Sequence, residues 1–559
     1  MRPICRVPCC AVAGILLNLA AFAGAIEQPT TPATAASRPN IVLILADDLG
    51  FSDLGCYGSQ IATPNLDRLA AGGLRFTQFY NGARCCPTRA ALLTGLYPHQ
   101  AGVGHMLGEW NRPAYSGGLN EHCATFAELL HTVGYRNYHV GKWHVGGVGG
   151  RKANSAVGRN HPLRRGFDRT FGTAGGGDFF QLQPLYLDDA PVTPDDKFYA
   201  TDAFSDWGER FVREHGRDHG GEPFLLHLCY TAPHFPLHAK PEDIAKYRGR
   251  FRDGWDAERA RRFARQKELG IVPRDCELSP RDPVATAWTD VPEADRDEWD
   301  LRMAVHAAMI DCMDQGIGRV LAAVREIGAE QNTVVMFLSD NGASAEFLDS
   351  WPDPARGHRP GSEAGTPDSH RCLEIGWANA ANTPFRENKM WAHEGGIATP
   401  LVTYWPTGIK SPGTLTGQVG HIVDILPTLL ELAGAAYPST LDCRELTPLE
   451  GRSLVPAFAG NTLGARTLGW EHEGNRAIRI GDWKLVAVFR GPWELYDLAH
   501  DRTETHDLAA AQPDKVKELA AAWQTWADRV GVAPWEELPG ANYRPSAKYR
   551  RKSEPLPKE

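Results

Sequence analysis

The sequence predicts an α/β sandwich built on a mostly parallel sheet, an expectation carried by two apolar runs and the helical patterns between them. Asn40–Ala46 (NIVLILA) and residues 333–338 (TVVMFL) are continuous apolar stretches bounded by polar residues, as in central strands covered on both faces. Between them lie amphipathic stretches at 125–132 and 304–327, the second closed by Gly328, and this alternation is how parallel sheets are wound. Both strand runs end in polar acidic pairs, Asp47-Asp48 and Asp340-Asn341. Ligands of open α/β sheets gather beyond the carboxyl ends of strands, so two distant segments are expected to deliver carboxylates to one edge.

A length of 559 residues exceeds the usual range for one domain, so a main unit at 39–465 and a smaller α+β unit at 466–540 are expected. In the smaller unit, strand-like pieces at 477–480, 483–488 and 493–496 precede a helix with Val516, Leu519, Trp523, Trp526 and Val530 on one face. Pro513 suits the first turn of that helix and Gly531 its end. Residues 1–25 read as a signal peptide: Arg2 and Arg6, an apolar run at 11–23, then the small residues Ala23-Gly24-Ala25. Asn18 interrupts the run, which is shorter than the roughly 20 apolar residues of a bilayer span, so export to periplasm or medium is expected, without a stable membrane span. Residues 26–38 read as a linker and 541–559 as a basic, proline-containing tail. Stretches 248–300 and 352–382 lack periodicity and read as long surface insertions that shape substrate choice.

Apolar and charged residues, at 42% and 23%, fall in ordinary globular usage. A net charge of -9 without a basic stripe argues against a nucleic-acid partner. Of twelve cysteines, Cys5, Cys9 and Cys10 fall in the leader, and no C-x-x-C pair points to a zinc framework. Cys56, Cys123, Cys229, Cys276, Cys312, Cys372 and Cys443 could form disulfides in an exported protein or stay buried thiols.

The most informative segment is residues 84–95 (RCCPTRAALLTG). Pro87 suits a first helical turn, Leu92 and Leu93 anchor the helix and Gly95 can end it, which places Cys85 just before a helix N-terminus. Free N–H groups and the helix dipole make that an anion site, with Arg89 as a fixed cation. A vicinal Cys85-Cys86 pair, a reactive thiolate or a capped surface helix fit the same composition. Asp47, Asp48, Asp340 and the amide oxygen of Asn341 are hard donors suited to calcium or magnesium rather than zinc, although each pair alone also reads as a turn. Lys142 and His144, two apart in an extended Gly141-Lys142-Trp143-His144, can face one pocket. His234 and His238 are four apart, but Pro236 breaks any helix that would present both to zinc.

Cys85-Cys86-Pro87-Thr88-Arg89 resembles the C-x-P-[S/T]-R signature of the type I, formylglycine-dependent sulfatases. Ordered further matches are Arg38-Pro39-Asn40, Asp47-Asp48, Gly141 to His144, Pro233-His234, Asp340-Asn341-Gly342, Lys389, Glu394-Gly395-Gly396 and Glu494 to Leu498, in the manner of the bacterial arylsulfatase-like branch. The resemblance implies an alkaline-phosphatase-like sandwich with a large mixed, mostly parallel sheet and a small C-terminal α+β domain. It implies that a formylglycine-generating enzyme oxidises Cys85, and that Asp47, Asp48, Asp340, Asn341 and the modified Cys85 coordinate one calcium ion. It places Lys142 and His144 at the sulfate, and it gives His234 and Lys389 the polarisation of the ester oxygen and the protonation of the departing alcohol. Asp340 and Arg89 help ionise one hydroxyl of the hydrated aldehyde, which attacks sulfur; His144 takes a proton from the second, and sulfate leaves. The implied activity is release of inorganic sulfate from an aryl or carbohydrate sulfate ester. Where many relatives carry Arg, this chain has Ala398, which cannot bind an anionic substrate group. Phosphodiester or phosphonate monoester hydrolysis, or glycan binding without catalysis if Cys85 is not oxidised, are the alternatives.

Overall fold

The computed structural model describes residues 38–146, 158–347 and 357–538. The expected signal peptide, the linker up to residue 37, residues 352–356 of the second insertion and the tail from 541 lie outside the described residues.

Strands β1 (Asn40–Ala46), β2 (Leu74–Tyr80), β3 (Arg136–Lys142), β4 (Arg169–Thr173), β5 (Leu185–Leu187), β6 (Ala190–Val192), β7 (Phe224–Cys229), β8 (Thr333–Ser339), β9 (Ala398–Tyr404), β10 (Thr414–Thr416) and β11 (Gly420–His421) form one mixed sheet. Its order is β10-β2-β9-β8-β1-β7-β3-β4-β5-β6, with β11 beside β2. The central four, β8-β1-β7-β3, are mutually parallel. The reason β1 is apolar throughout is visible in its alternation: Val42, Ile44 and Ala46 enter one core, and Ile41, Leu43 and Leu45 enter the other. Each buried Ile or Leu is worth about 1.5–3 kcal/mol, so neither face tolerates a polar residue. The helices Ala200–Asp218 and Arg296–Glu326 supply the first core, and Cys85–Thr94, Phe126–His131 and Ile425–Ala433 the second.

Residues 248–300 are not a surface insertion. They contain the helix Gly254–Leu269 and the start of Arg296–Glu326, which begins at Arg296 rather than at 304. Apolar periodicity fails there because the buried positions are charged and paired: Arg262 reaches Asp53 at 2.7 Å and Glu258 at 2.8 Å. Asp300 accepts from the Gly249 and Phe251 N–H groups at 2.8 Å each. The second stretch likewise holds a helix, Glu374–Ala381, with Trp377 fully buried. Cys56, Cys123, Cys229, Cys276 and Cys312 form no disulfide, and all but Cys276 are buried thiols.

After a short hairpin of β12 (Thr440–Leu441) and β13 (Arg444–Glu445), β14 (Thr467–His472), β15 (Asn475–Ile480), β16 (Trp483–Ala487) and β17 (Glu494–Asp497) make an antiparallel sheet in sequence order. The helix Pro513–Val530 covers one face with Leu519, Trp523, Trp526 and Val530. The other face sends Leu468, Trp470 and Ala477 into the main core. A buried ionic group closes this junction: Lys484 Nζ lies 3.0 Å from Glu394 and 2.6 Å from Glu504, and Glu394 also accepts from the Tyr80 hydroxyl at 2.9 Å. Lys484→Met would leave two carboxylates buried without their shared cation, which costs about 3–5 kcal/mol. Denaturant unfolding is expected to show that loss; a change below about 1 kcal/mol would show that the network does not hold the junction.

Candidate active site

The site grows from strand register. Ala46 pairs with Ser339, so Asp47 and Asp340 leave adjacent parallel strands at the same level. The ladder continues past them: the Asp47 N–H donates to the Ala232 carbonyl and the Asp340 N–H to that of Ala46, both at 3.1 Å. After Asn341, Gly342 donates to the Gly396 carbonyl at 3.1 Å, and a Cβ at Gly342 would fall 1.9 Å from the Gly395 carbonyl oxygen. The Asp-Asn-Gly and Glu-Gly-Gly motifs are thus two sides of one backbone contact.

The helix at the signature spans Cys85–Thr94, so Cys85 is its first residue, with Arg84 as the cap, rather than the residue before it. Gly95 ends it with φ 67°, its N–H donating to the Ala91 carbonyl. The Thr88 hydroxyl accepts from the Gly82 N–H at 2.8 Å and fixes the entering loop.

Every residue singled out for chemistry lies at this point. Arg89 donates to Asp340 Oδ2 from Nε at 2.9 Å and from Nη2 at 2.7 Å, and to the Lys142 carbonyl from Nη1 at 2.8 Å. Lys142 Nζ lies 2.5 Å from Asp47 Oδ2. Lys389 Nζ is 2.8 Å from the Asp48 carboxylate, and His234 Nε2 is 3.6 Å from it. The Asn341 amide donates to Asp48 Oδ1 at 2.6 Å. Cys85, Cys86 and His144 hold their ligand atoms within 4.8 Å of one another. Asp48, Ala83, His144 and Met390 have φ of 64°, 64°, 58° and 85°. Left-handed non-glycine residues concentrated in loops of one pocket are strain held for geometry, about 1–3 kcal/mol each.

The two carboxylates at the strand ends are shifted in opposite directions. Burial raises Asp47, but Lys142, His234 and Arg89 outweigh it and hold its carboxyl at about 2. Asp340 is pushed well up, by burial and then by Asp47, in spite of Arg89. Asp47 Oδ1 and Asn341 Oδ1 are buried with no hydrogen-bond partner. An orphaned buried oxygen costs about 1–3 kcal/mol, and hard oxygen donors of this kind suit calcium. Cys85 is drawn down, by its hydrogen bond from Cys86 first and then, against burial, by Lys142. Burial, then Lys142, lower His144 to about 4, which leaves a neutral ring at neutral pH.

Two contributors have no sequence motif. Glu346 lies 3.6 Å from Lys389 and 3.4 Å from Arg84; its only signal is its place in the loop that follows Asn341. At the β14–β15 turn, Glu473 accepts from His105 at 3.0 Å, and burial lowers neighbouring His472 to about 3. Ala398 is 1% exposed and pairs with Tyr80 at the start of β9. It belongs to the core, so its side chain bears on packing rather than on a substrate anion.

Cations, a helix start and clustered oxygens around a buried cysteine at the carboxyl edge of a parallel sheet are the features of a pocket for tetrahedral oxyanions. The Sulfatase family profile matches residues 39–435, and that of the N-sulphoglucosamine sulphohydrolase C-terminal region matches 386–525. An uncharacterised sulfatase of Schizosaccharomyces pombe is 34% identical over 535 residues, covering 89% of this chain and 94% of that protein. The arylsulfatase of Klebsiella aerogenes is 31% identical over 463 residues, covering 78% and 96%. The solved structure of Ps i-CgsB in complex with k-i-k-neocarrahexaose superposes with a TM-score of 0.63 at 26% identity, covering 88% and 93%. The chain belongs to the sulfatase family and is a hydrolase of sulfate esters.

Ring-labelled NMR is expected to find His144 neutral from about pH 8 to about pH 5, where an ordinary histidine with a pKa near 6.5 would have titrated. Lys142→Ala removes a neighbouring cation, so the His144 midpoint should rise and kcat/KM fall about 10²–10³-fold, as on loss of one anion-stabilising donor. Ordinary titration of His144 in the unsubstituted protein would contradict this geometry.

Proposed function

We propose that this pocket cleaves sulfate esters through Cys85 after a formylglycine-generating enzyme has oxidised it, with one calcium ion held by Asp47, Asp48, Asp340, Asn341 and the modified side chain. The observation that carries the reading is the pair of orphaned buried oxygens, Asp47 Oδ1 and Asn341 Oδ1, beside the helix start that bears Cys85. Bound calcium would supply a fixed charge that favours the ionised nucleophile and the substrate's sulfate oxygens. The aldehyde, as its hydrate, would supply one hydroxyl to attack sulfur and a second whose deprotonation releases sulfate.

The remaining work falls to this chain's own side chains. Arg89, locked on Asp340, fixes that carboxylate for the nucleophile's proton. Lys142 holds sulfate oxygens from the side of Asp47. Lys389 and His234 converge on Asp48 from the leaving-group side, where they polarise the ester oxygen and protonate the departing alcohol. Neutral His144 accepts the proton of the release step. Ps i-CgsB is solved in complex with k-i-k-neocarrahexaose, an oligosaccharide, which favours a carbohydrate sulfate as substrate; an aryl sulfate fits the same clamp. Residues 1–25 act as the export signal, 39–465 carry the chemistry, and 466–540 close the pocket through the β14–β15 turn.

Peptide mass analysis of the Cys85 segment from protein made with the maturation enzyme is expected to show a residue lighter than cysteine. Cys85→Ser should then reduce turnover of a nitrophenyl sulfate to background. Chelation should remove activity and added calcium restore it. Full activity with Cys85 unmodified, or faster turnover of an aryl phosphodiester than of the sulfate, would sink the proposal.

A further inference from the structure

A separate cluster of ligating side chains lies behind the pocket wall. Asp178, His238 and His358 are all buried, and their candidate ligand atoms lie within 4.8 Å of one another. Asp178 Oδ1 is 3.1 Å from His238 Nδ1, and Asp178 Oδ2 is 3.1 Å from His358 Nε2. Two donors bound to one tetrahedral zinc at the usual bond lengths lie about 3.3 Å apart, so both spacings are already close to ligand–ligand spacings.

The proton positions sharpen the case. His238 Nε2 lies 2.8 Å from the Ser369 carbonyl, which can only accept, so Nε2 carries the hydrogen. In a neutral ring, Nδ1 then turns a lone pair toward a carboxylate oxygen. Neither His238 Nδ1 nor Asp178 Oδ1 has a hydrogen-bond partner, and both atoms are buried. Two facing lone pairs repel in a low-dielectric setting, and a cation between them removes the repulsion. A ring N–H donated to a backbone carbonyl is also how metal-bound histidines have their tautomer fixed. The Phe179 and Phe180 rings pack 6.3 Å and 5.6 Å from the His238 ring and line one side of the cluster.

We propose that Asp178, His238 and His358 bind one divalent transition-metal ion, zinc by preference, with two imidazoles, one carboxylate and a fourth position for water. Calcium requires more oxygen donors than this set offers, whereas two nitrogens and one oxygen suit zinc. The competing state is a doubly protonated His238 held as an ion pair by Asp178. The three residues come from separate stretches of the chain. Asp178 lies two residues after Gly176, where a Cβ would fall 3.3 Å from Lys142 Nζ. His238 ends the loop that carries His234, and His358 lies in the aperiodic stretch 352–382. The ion would clamp the three together. This site does not depend on the sulfatase chemistry.

The test uses full-length protein with Cys85→Ser and Cys86→Ser, which removes the thiols beside His144, loaded with calcium and titrated with zinc by calorimetry. One equivalent of zinc should bind, its dialysis-resistant content should match by mass spectrometry, and the melting temperature should rise. His358→Ala and Asp178→Asn, shown folded by circular dichroism, should each weaken zinc binding about 100-fold or more while calcium content stays unchanged. His358→Gln serves in place of a His358→Ala protein that fails to fold. No zinc uptake by the folded background protein, or uptake by the folded variants equal to it, would overturn the proposal and leave the protonated ion pair.

Discussion

Two carboxylates, Asp47 and Asp340, emerge side by side from adjacent parallel strands, and the rest of the pocket exists to make that juxtaposition tolerable. Their position is dictated by the pairing of Ala46 with Ser339. A slip of one residue would turn each side chain to the opposite face of the sheet, and it would also exchange the two cores that β1 serves. Register and core composition are therefore one constraint: the apolar alternation that stabilises the fold is what aims the acids. Buried anions in contact demand cations, and Arg89 and Lys142 arrive from a helix and a strand end that share the same edge.

The loops that complete the pocket could not hold their shapes alone. Four non-glycine residues in left-handed conformations and a backbone contact between Gly342 and the 395–396 turn are sustained by the burial around them. The C-terminal sheet is part of that support. Glu394 directly precedes the glycine pair of this contact, and it is gripped by Lys484 and Tyr80. The motif that packs against Asn341-Gly342 on one side is thereby tied to a different sheet on the other.

Much of this was legible in the chain because the physics is local. β1 and β8 declare themselves by unbroken apolar runs, and Cys85–Thr94 by a proline in its first turn and a glycine at its end. What was hidden is non-local. The helix Gly254–Leu269 has no apolar stripe because its inward face is satisfied by Asp53, far away in sequence. The strand β14 is masked by Gly469, whose missing side chain makes room for Trp526. Glu346 carries no motif, since its ion pairs with Lys389 and Arg84 are non-local. His238 was set aside as a helical partner of His234, and that exclusion stands, because Pro236 still separates them. Its actual partners lie 60 and 120 positions away in the numbering, where spacing conveys nothing.

The two histidines of that loop then acquire different tasks from different surroundings. His234 faces Asp48, whose carboxylate also holds the Lys389 ammonium. His238, four residues on, is enclosed by aromatic rings, with one nitrogen committed to a backbone carbonyl and the other aimed at a carboxylate. On the two proposals, donor chemistry alone would sort the ions: hard oxygens at the strand edge suit calcium, and imidazoles with one carboxylate suit zinc. With the proposed zinc bound, the short segment between the histidines would be anchored at His238, and the position of His234 would be steadied by a site that never touches it.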